Sequence, residues 1–538
     1  MTSTERSAFA YATIVAMGGF VFGLDAALIS GTVNFITKEF GLTDWQLGTA
    51  VSAPGFGVLV ALPFVGLVCN KLGRKLALQI IAALYLVSAV WSAFAPDFWN
   101  LVAARFLGGL AFSSIALASM YIGEIAPPKW RGKLVSMTQI NIVLGLSGAY
   151  FVNYLILKST NSGAHWVEAL GITRFTWRWM LGSEILPALL WLALLFTIPE
   201  SPYWLVYANR LEEAKRNLKR ILPVEQIDHH LDEMRQSMKS GGQDHTIVQQ
   251  MRLIFGRPMR LIFVIAITIA IAQQSTGINA ILFYAPTVIE QLGIGTDAAF
   301  MQSVWIGLTS VVFTIAGLLL VDRLGRRPLI IGGMVWIIIS LLACSYGFKT
   351  ARYVLTPQAI SELAKVPDAS RLNVMADKEY PSDIAFKRAV RDAIGDTDAR
   401  DHASLLLQKS ARMPAALIFA GILSFIAAFH FSVGPVMWVL FSEIFPIAVR
   451  GIAIPFFTLI TSLTSYLVQQ FFPWQLATMG VSSIFLFYAI TVGLGLVILY
   501  FYLVETKNMS IEEIQLALLP RSLKGAPLTA GPGAPPSR

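Results

Sequence analysis

Apolar residues in this chain gather into blocks of about 20, separated by polar connections. Twelve blocks can be marked: 8–31, 48–68, 76–95, 99–123, 134–156, 178–198, 259–291, 300–321, 328–348, 414–442, 452–472 and 479–503. A helix rises about 1.5 Å per residue, so each block crosses roughly 30 Å of hydrocarbon. Apolarity is near-continuous inside the blocks, whereas the strands of a membrane barrel alternate in short segments. The pattern predicts an all-α membrane protein with twelve transmembrane helices. The first block is too long for an ordinary signal-peptide h-region and carries Asp25, so it reads as a retained helix.

Composition agrees with the pattern. The 538 residues are 55% hydrophobic and only 14% charged, which excludes disorder and argues against a soluble globular protein. The net charge of +9 has a local explanation that needs no nucleic acid. Lys and Arg cluster in alternate connections: Lys71, Arg74 and Lys75; Lys129, Arg131 and Lys133; the 209–260 segment; Arg323, Arg326 and Arg327; and Arg450. The positive-inside bias makes those connections cytoplasmic, with both termini on that side. Cys69 and Cys344 then fall at opposite membrane faces, so neither a disulfide nor a metal site is expected. The sequon at Asn508 would also be cytoplasmic, which leans towards a bacterial inner membrane, or otherwise a plasma membrane.

The chain repeats itself. "NKLGRK" at Asn70–Lys75 returns as "DRLGRR" at Asp322–Arg327, and "GEIAPPKWRG" at Gly123–Gly132 returns as "SEIFPIAVRG" at Ser442–Gly451. The offsets are 252 and 319, so the second copy has gained 67 residues between its motifs. The hydrophilic stretch 349–413 accounts for the gain. The chain therefore divides into a six-helix half over 1–200, cytoplasmic linker helices over 201–258, and a second six-helix half over 259–510 with an extracellular insertion at 349–413. A cytoplasmic tail follows over 511–538, its end disordered. Two pseudo-symmetric halves of this kind are typical of transporters that bind substrate at the midplane. Inside the insertion, "SELAKV" and "IAFKRAVRDAIG" read as helical.

Polar side chains inside a membrane are functional candidates, because hydrocarbon penalises them. The seventh block carries Gln273, Gln274 and Asn279. On one straight helix Gln273 and Asn279 point about 240° apart. Gly277 between them offers a bend that would aim both at one ligand. Amides donate and accept, which suits sugar hydroxyls; the plainer reading is that they only link helices. Asp25 is the other candidate. Burial raises a carboxylate's pKa and a neighbouring cation lowers it, so an Asp between those influences can load and release a proton. No Walker motif, metal cluster or nucleophile constellation appears. Neither ATP drive, an enzyme nor a cofactor is expected.

These motifs, taken in order, resemble the sugar porter family of the major facilitator superfamily. They are "GLDAALISG", "NKLGRK", "YIGEIAPPKWRGKL", "PESPYWL", "QQSTGINAILFYAP", "DRLGRRP", "GPVMWVLFSEIFPIAVRG" and "VETK". The resemblance spans nearly the whole chain except 349–413 and the tail. It implies alternating access, with Gln139, Gln273, Gln274, Asn279 and Trp438 on the sugar and Ser310 where the family commonly has Asn. Arg105 is implied as the partner of Asp25 in proton coupling; the alternative is a static pair that fixes two helices. Arg74, Glu124, Arg131, Glu200, Arg326, Glu443 and Arg450 are implied to gate the cytoplasmic side, with Lys75, Arg327 and Glu505 beside them. Thr461, Ser462 and Phe283 replace larger or more aromatic residues, which leaves a bulkier sugar, a ketose or a polyol open. The expected partners are a sugar or polyol, a proton and the bilayer, with a monomer sufficient. A facilitative uniporter and a transporter-like sensor are the competing readings.

Overall fold

A computed structural model of the chain describes residues 3–112, 114–126, 130–222, 226–240, 247–363, 366–509, 513–514 and 518. Among the described residues, twelve helices are long and apolar enough to cross a membrane. Spans 1 to 6 are Glu5–Phe40, Asp44–Leu72, Arg74–Ala93, Phe98–Ile125, Gly132–Thr160 and Thr176–Leu195. Spans 7 to 12 are Arg260–Phe283, Thr296–Leu324, Arg326–Lys349, Ala415–Ile444, Val449–Thr478 and Val481–Tyr502. The protein is thus an all-α membrane protein. Several helices outrun their apolar blocks, span 1 by about nine residues at its end. Hydropathy sees only the buried stretch, while backbone hydrogen bonding continues through polar turns that leave the hydrocarbon.

Local chemistry sets the helix boundaries. Thr43 and Gln46 form a capping box at the start of span 2, and Asp97 accepts the Asn100 N–H at the start of span 4. Gly73 and Gly325 hold φ of 91° and 92° at the tight turns between spans 2 and 3 and between spans 8 and 9. Those turns belong to the repeated "LGR" motifs, and glycine adopts this backbone without the strain a side chain would bring.

The apolar core is divided in an informative way. One continuous cluster runs through the second half into the first half, through residues such as Leu28, Val33, Val51, Leu101 and Tyr150. A separate cluster fills the opposite end of the first half, where Arg74 lies; it includes Ala12, Leu78, Tyr121, Trp191 and Leu195. The halves are therefore fused at the end that carries the insertion, and the first half has its own core at the basic end.

The linker is shared between the halves. Its helices Pro202–Tyr207, Leu211–Leu218 and Ile227–Ser240 bury Leu205, Ala214, Leu218 and Leu231 in the first half's separate core. The helix Ile247–Ile254 instead places Ile254 in the larger core. The tail beyond 518 lies outside the described residues.

The insertion is a folded unit. Strands β1 (Arg352–Val354), β2 (Glu379–Tyr380) and β3 (Ala411–Arg412) form an antiparallel sheet in the order β2-β1-β3. Tyr353 pairs with Tyr380 on one side and Ala411 on the other. Helices Pro357–Glu362, Asp383–Ile394, Asp396–Asp401 and Ala403–Ser410 accompany it. Tyr353, Leu372, Phe386, Val390 and Leu407 give the unit a core of its own. The "IAFKRAVRDAIG" stretch is helical as read from its periodicity. In "SELAKV" the helix stops at Glu362, and strands of two or three residues are too short to leave a pattern.

Candidate functional site: a buried charge cluster and a chain of amides

Asp25 lies on span 1 and is 4% exposed; Arg105 lies on span 4 and is 2% exposed. Arg105 Nη1 donates to Asp25 Oδ1 at 3.0 Å. Glu184, at the start of the helix Ile185–Leu195 in span 6, is 3% exposed and interacts with both residues. Three side chains that are charged in water thus meet inside the first half. Asp25 Oδ2, Arg105 Nε and Glu184 Oε1 have no protein hydrogen-bond partner among the described residues. Leaving such atoms unmatched costs about 1–3 kcal/mol each, so the site has unused capacity for a proton or a water. Asp25 Oδ2 faces span 4, 3.8 Å from where a side chain on Gly108 would begin.

Glu184 is the residue the sequence reading passed over. Its signal was present: it stands in the apolar block 178–198, like Asp25 in the first. The intramembrane-charge rule applies equally to both.

The second constellation lies on span 7. The helix Arg260–Gln274 stops, Gly277 takes φ +79°, and helix resumes over Ile278–Phe283. A Cβ on Gly277 would lie 2.3 Å from the Tyr488 ring, so the break needs glycine for both backbone and space. The break brings the amides together. Asn279 Nδ2 donates to Gln274 Oε1 at 2.8 Å, and Gln274 Nε2 donates to Gln273 Oε1 at 3.2 Å. Gln273 Nε2 reaches the Gly434 carbonyl at 3.2 Å. That carbonyl lies just past a break in span 10, between helices Ala415–Phe431 and Val433–Ile444. Asn279 also donates to Ser465 Oγ on span 11 at 2.7 Å, and Gln469 Nε2 donates to the same oxygen at 2.8 Å.

The remaining sugar-site candidates stand differently. Gln139 is half-buried on span 5. Trp438 on span 10 is 39% exposed and meets Phe441 edge-on, so part of its indole is free for a ligand. Ser310 is fully buried and donates to Ile306 O on its own helix at 2.9 Å. Thr461 likewise bonds Phe457 O. Ser465 and Gln469, rather than residues 461 and 462, carry span 11 into the amide chain. Residues 461, 465 and 469 share one helix face, so height along span 11 decides which of them meets span 7, and the motif does not reveal it.

The basic end holds two copies of one charge lock. Arg74 pairs with Glu124 at 3.0 Å, and Arg326 pairs with Glu443 at 2.7 Å. Glu200 accepts the backbone N–H groups of Arg74 and Lys75, and Glu505 accepts those of Arg326 and Arg327. Each carboxylate thus sits at a helix N-terminus, where orphan N–H groups favour an anion. Ser201 donates to Glu124, and Thr506 donates to Glu443. "ES" at 200–201 and "ET" at 505–506 are therefore structural counterparts, a repeat too short to see in sequence. Every one of these bonds lies within a single half. Arg450 binds the Phe445 carbonyl at 3.0 Å. The Arg131 side chain lies outside the described residues.

At the insertion end, bonds cross between the halves. Asn34 donates to Glu290 at 2.9 Å and Ser52 to Gln470 at 2.7 Å. Gln470 Nε2 contacts Trp45 O and Thr49 Oγ1, and the Tyr150 hydroxyl donates to the Leu282 carbonyl.

Two repeated helical halves, closed at one end around buried polar groups, are the architecture of a membrane transporter. The chain belongs to the sugar (and other) transporter family, whose model matches residues 11–364 and 402–518. It is 30% identical over 559 residues to the D-xylose-proton symporter of Escherichia coli K12, covering 96% of each chain. It is 30% identical over 510 residues to the probable metabolite transport protein CsbC of Bacillus subtilis, covering 95% of this chain and 94% of that one. It is 27% identical over 543 residues to inositol transporter 4 of Arabidopsis thaliana, covering 93% and 90%. The inward-open conformation of the E. coli xylose transporter XylE superposes with a TM-score of 0.73 at 28% identity, covering 95% of this chain and all of XylE.

Proposed function

We propose that the protein carries a monosaccharide or related polyol together with a proton, by alternating access, through the bacterial inner membrane or a plasma membrane. The observation that carries this reading is the buried cluster of Asp25, Arg105 and Glu184, with unpartnered oxygens on both acids. Two carboxylates and one guanidinium leave room for one proton if the cluster is to stay neutral in a low-dielectric interior. A pure helix-fixing ion pair needs neither the second acid nor the open acceptor.

On this reading the basic end is cytoplasmic, since Lys and Arg concentrate there. The arrangement faces inward: bonds between the halves lie at the opposite end, and the locks at the basic end lie within each half. Gln139, Gln273, Gln274, Asn279 and Trp438 bind the sugar, the amides holding hydroxyls and the indole covering an apolar C–H face. Ser310 shapes the wall. The chained amides already satisfy one another, and a ligand's hydroxyls replace those bonds one for one. Proton loading at Asp25 weakens its hold on Arg105 and eases the movement of span 1 against span 4. Arg74, Glu124, Arg131, Glu200, Arg326, Glu443 and Arg450 gate the cytoplasmic side: as it closes, charges now bonded within each half also bridge between the halves. A single chain contains the complete pathway and works as a monomer. Relatives named for xylose, arabinose and inositol frame the substrate class.

The test follows external pH in lightly buffered, de-energised cells given xylose, arabinose, glucose, fructose, galactose or inositol in turn. Alkalinisation with one substrate, abolished in Asp25→Asn while labelled-substrate exchange persists, is expected. Exchange without any pH change in the wild type would make the protein a uniporter.

A further inference from the structure

The segment 349–413 is joined to the second half at both ends, by span 9 at Lys349 and by span 10 at Ala415. It also rests on that half. Lys387 Nζ donates to Gln291 Oε1 at 2.9 Å, Ser404 and Thr296 hydroxyls meet at 3.1 Å, and Asp383 packs against Gly480. Leu407 and Ala411 pack so closely on Gly293 that a Cβ there would lie 2.7 Å from the Ala411 side chain. The unit has its own core and is built onto the second half.

One short helix, Asp396–Asp401, leaves that half and reaches the other. Arg400 Nη1 donates to the Leu42 carbonyl at 2.5 Å, and Asp401 pairs with Lys38 at 3.7 Å. Leu42 follows the end of span 1, and its side chain is buried. The helix therefore grips the junction of spans 1 and 2, the hairpin whose residues Trp45, Thr49 and Ser52 bond Gln470 across the halves. The family model matches residues 11–364 and 402–518, so Arg400 and Asp401 lie between its matched ranges.

We propose that the insertion is a latch: a folded unit carried by the second half that holds the first half through Arg400 and Asp401, stabilising the state closed at this end. Opening that end requires the hairpin of spans 1 and 2 to part from Gln470, and the same movement breaks both latch contacts. The latch weights the alternating-access equilibrium without touching the polar cluster or the amides. It rests on the transporter fold and not on proton coupling.

The experiment places a single cysteine at Ser52, a closed-end position with no exposure, in a chain carrying Cys69→Ser and Cys344→Ser. Labelling by a membrane-impermeant maleimide in intact cells then reads opening at that end. Arg400→Ala and Lys38→Asp are each expected to raise the labelling rate about two- to five-fold, as for an exposed contact of modest strength. Adding Asp401→Lys to Lys38→Asp is expected to restore the wild-type rate. Lys409→Ala, which removes a pair with Glu362 inside the insertion, is expected to leave labelling unchanged. Unchanged labelling in Arg400→Ala and Lys38→Asp, at normal surface expression, would overturn the latch, as would an equal rise in Lys409→Ala. Asp25→Asn should keep the latch response, which separates this proposal from proton coupling.

Discussion

An acidic side chain at the bilayer centre costs roughly 2.5–3.5 kcal/mol on insertion scales, and Asp25 meets Arg105 there at 3.0 Å. Glu200 and Glu505 show how environment sets a carboxylate's behaviour where solvent is closer. Both accept N–H groups at a helix N-terminus. For Glu200 burial outweighs those donors and pushes its pKa up. For Glu505 burial also pushes up, but the N–H groups of Lys507, Arg326, Thr506 and Arg327 prevail and hold it below the ordinary carboxylate value of 4.5. A lowered carboxylate lends stability that is present above its unfolded-state pKa and lost as pH falls through the lower, folded value. Purified protein should therefore lose thermal stability as pH drops below 4.5, and Glu505→Gln should flatten that acid limb. A melting series against pH for both proteins checks it; parallel limbs would mean that Glu505 adds nothing. Asp25 was legible from the sequence because a carboxylate in an apolar block is conspicuous. That Glu184 completes its cluster was not, because nothing local says which face of span 6 meets span 1.

At the scale of elements, span 7 is the decisive one. Its glycine signal was readable at Gly277, and the angular argument for a bend matches the break the structure shows. What the bend achieves was not readable, since the partners Gly434 and Ser465 come from spans 10 and 11. Gly277→Ala should destabilise the protein by about 2–4 kcal/mol, combining a strained left-handed backbone with overpacking against Tyr488. Thermal unfolding in detergent measures this. In a double-mutant cycle with Tyr488→Ala, the coupling should equal only the packing share, and a coupling equal to the whole cost of Gly277→Ala would refute the backbone argument. The repeated "LGR" turns were legible as a motif pair. The resemblance put Glu200 and Glu505 beside those turns, but that each accepts the backbone N–H groups of the helix start was not legible, because it depends on how the turn packs on a distant loop.

For the whole molecule, the division of cores matters most. A continuous core joins the halves at the insertion end, while the first half keeps a separate one at the basic end. Transport by rocking requires the joined end to part. Cysteines at Ser52 and Gln470, whose native side chains meet at 2.7 Å, should be bridged by a short bifunctional thiosulfonate reagent, which should stop net transport while leaving sugar binding from the basic side intact. Labelled-sugar binding and flux in liposomes, before and after reduction, distinguish this from misfolding. Flux that persists in the cross-linked protein would show that this end need not open.

The sequence by itself determined the twelve helices and the two-fold repeat, and its motifs, through their resemblance to a known family, the transporter class. The helices and the repeat rest on properties written residue by residue: apolar run length and glycine-bearing turns. The tertiary structure alone decided that Glu184 joins Asp25 and Arg105, that span 11 enters the amide chain through Ser465, and that the insertion crosses to Leu42 and Lys38. Each of those unites side chains far apart in the chain. Their meeting depends on helical phase and on how the packed helices are turned about one another, which no local pattern encodes.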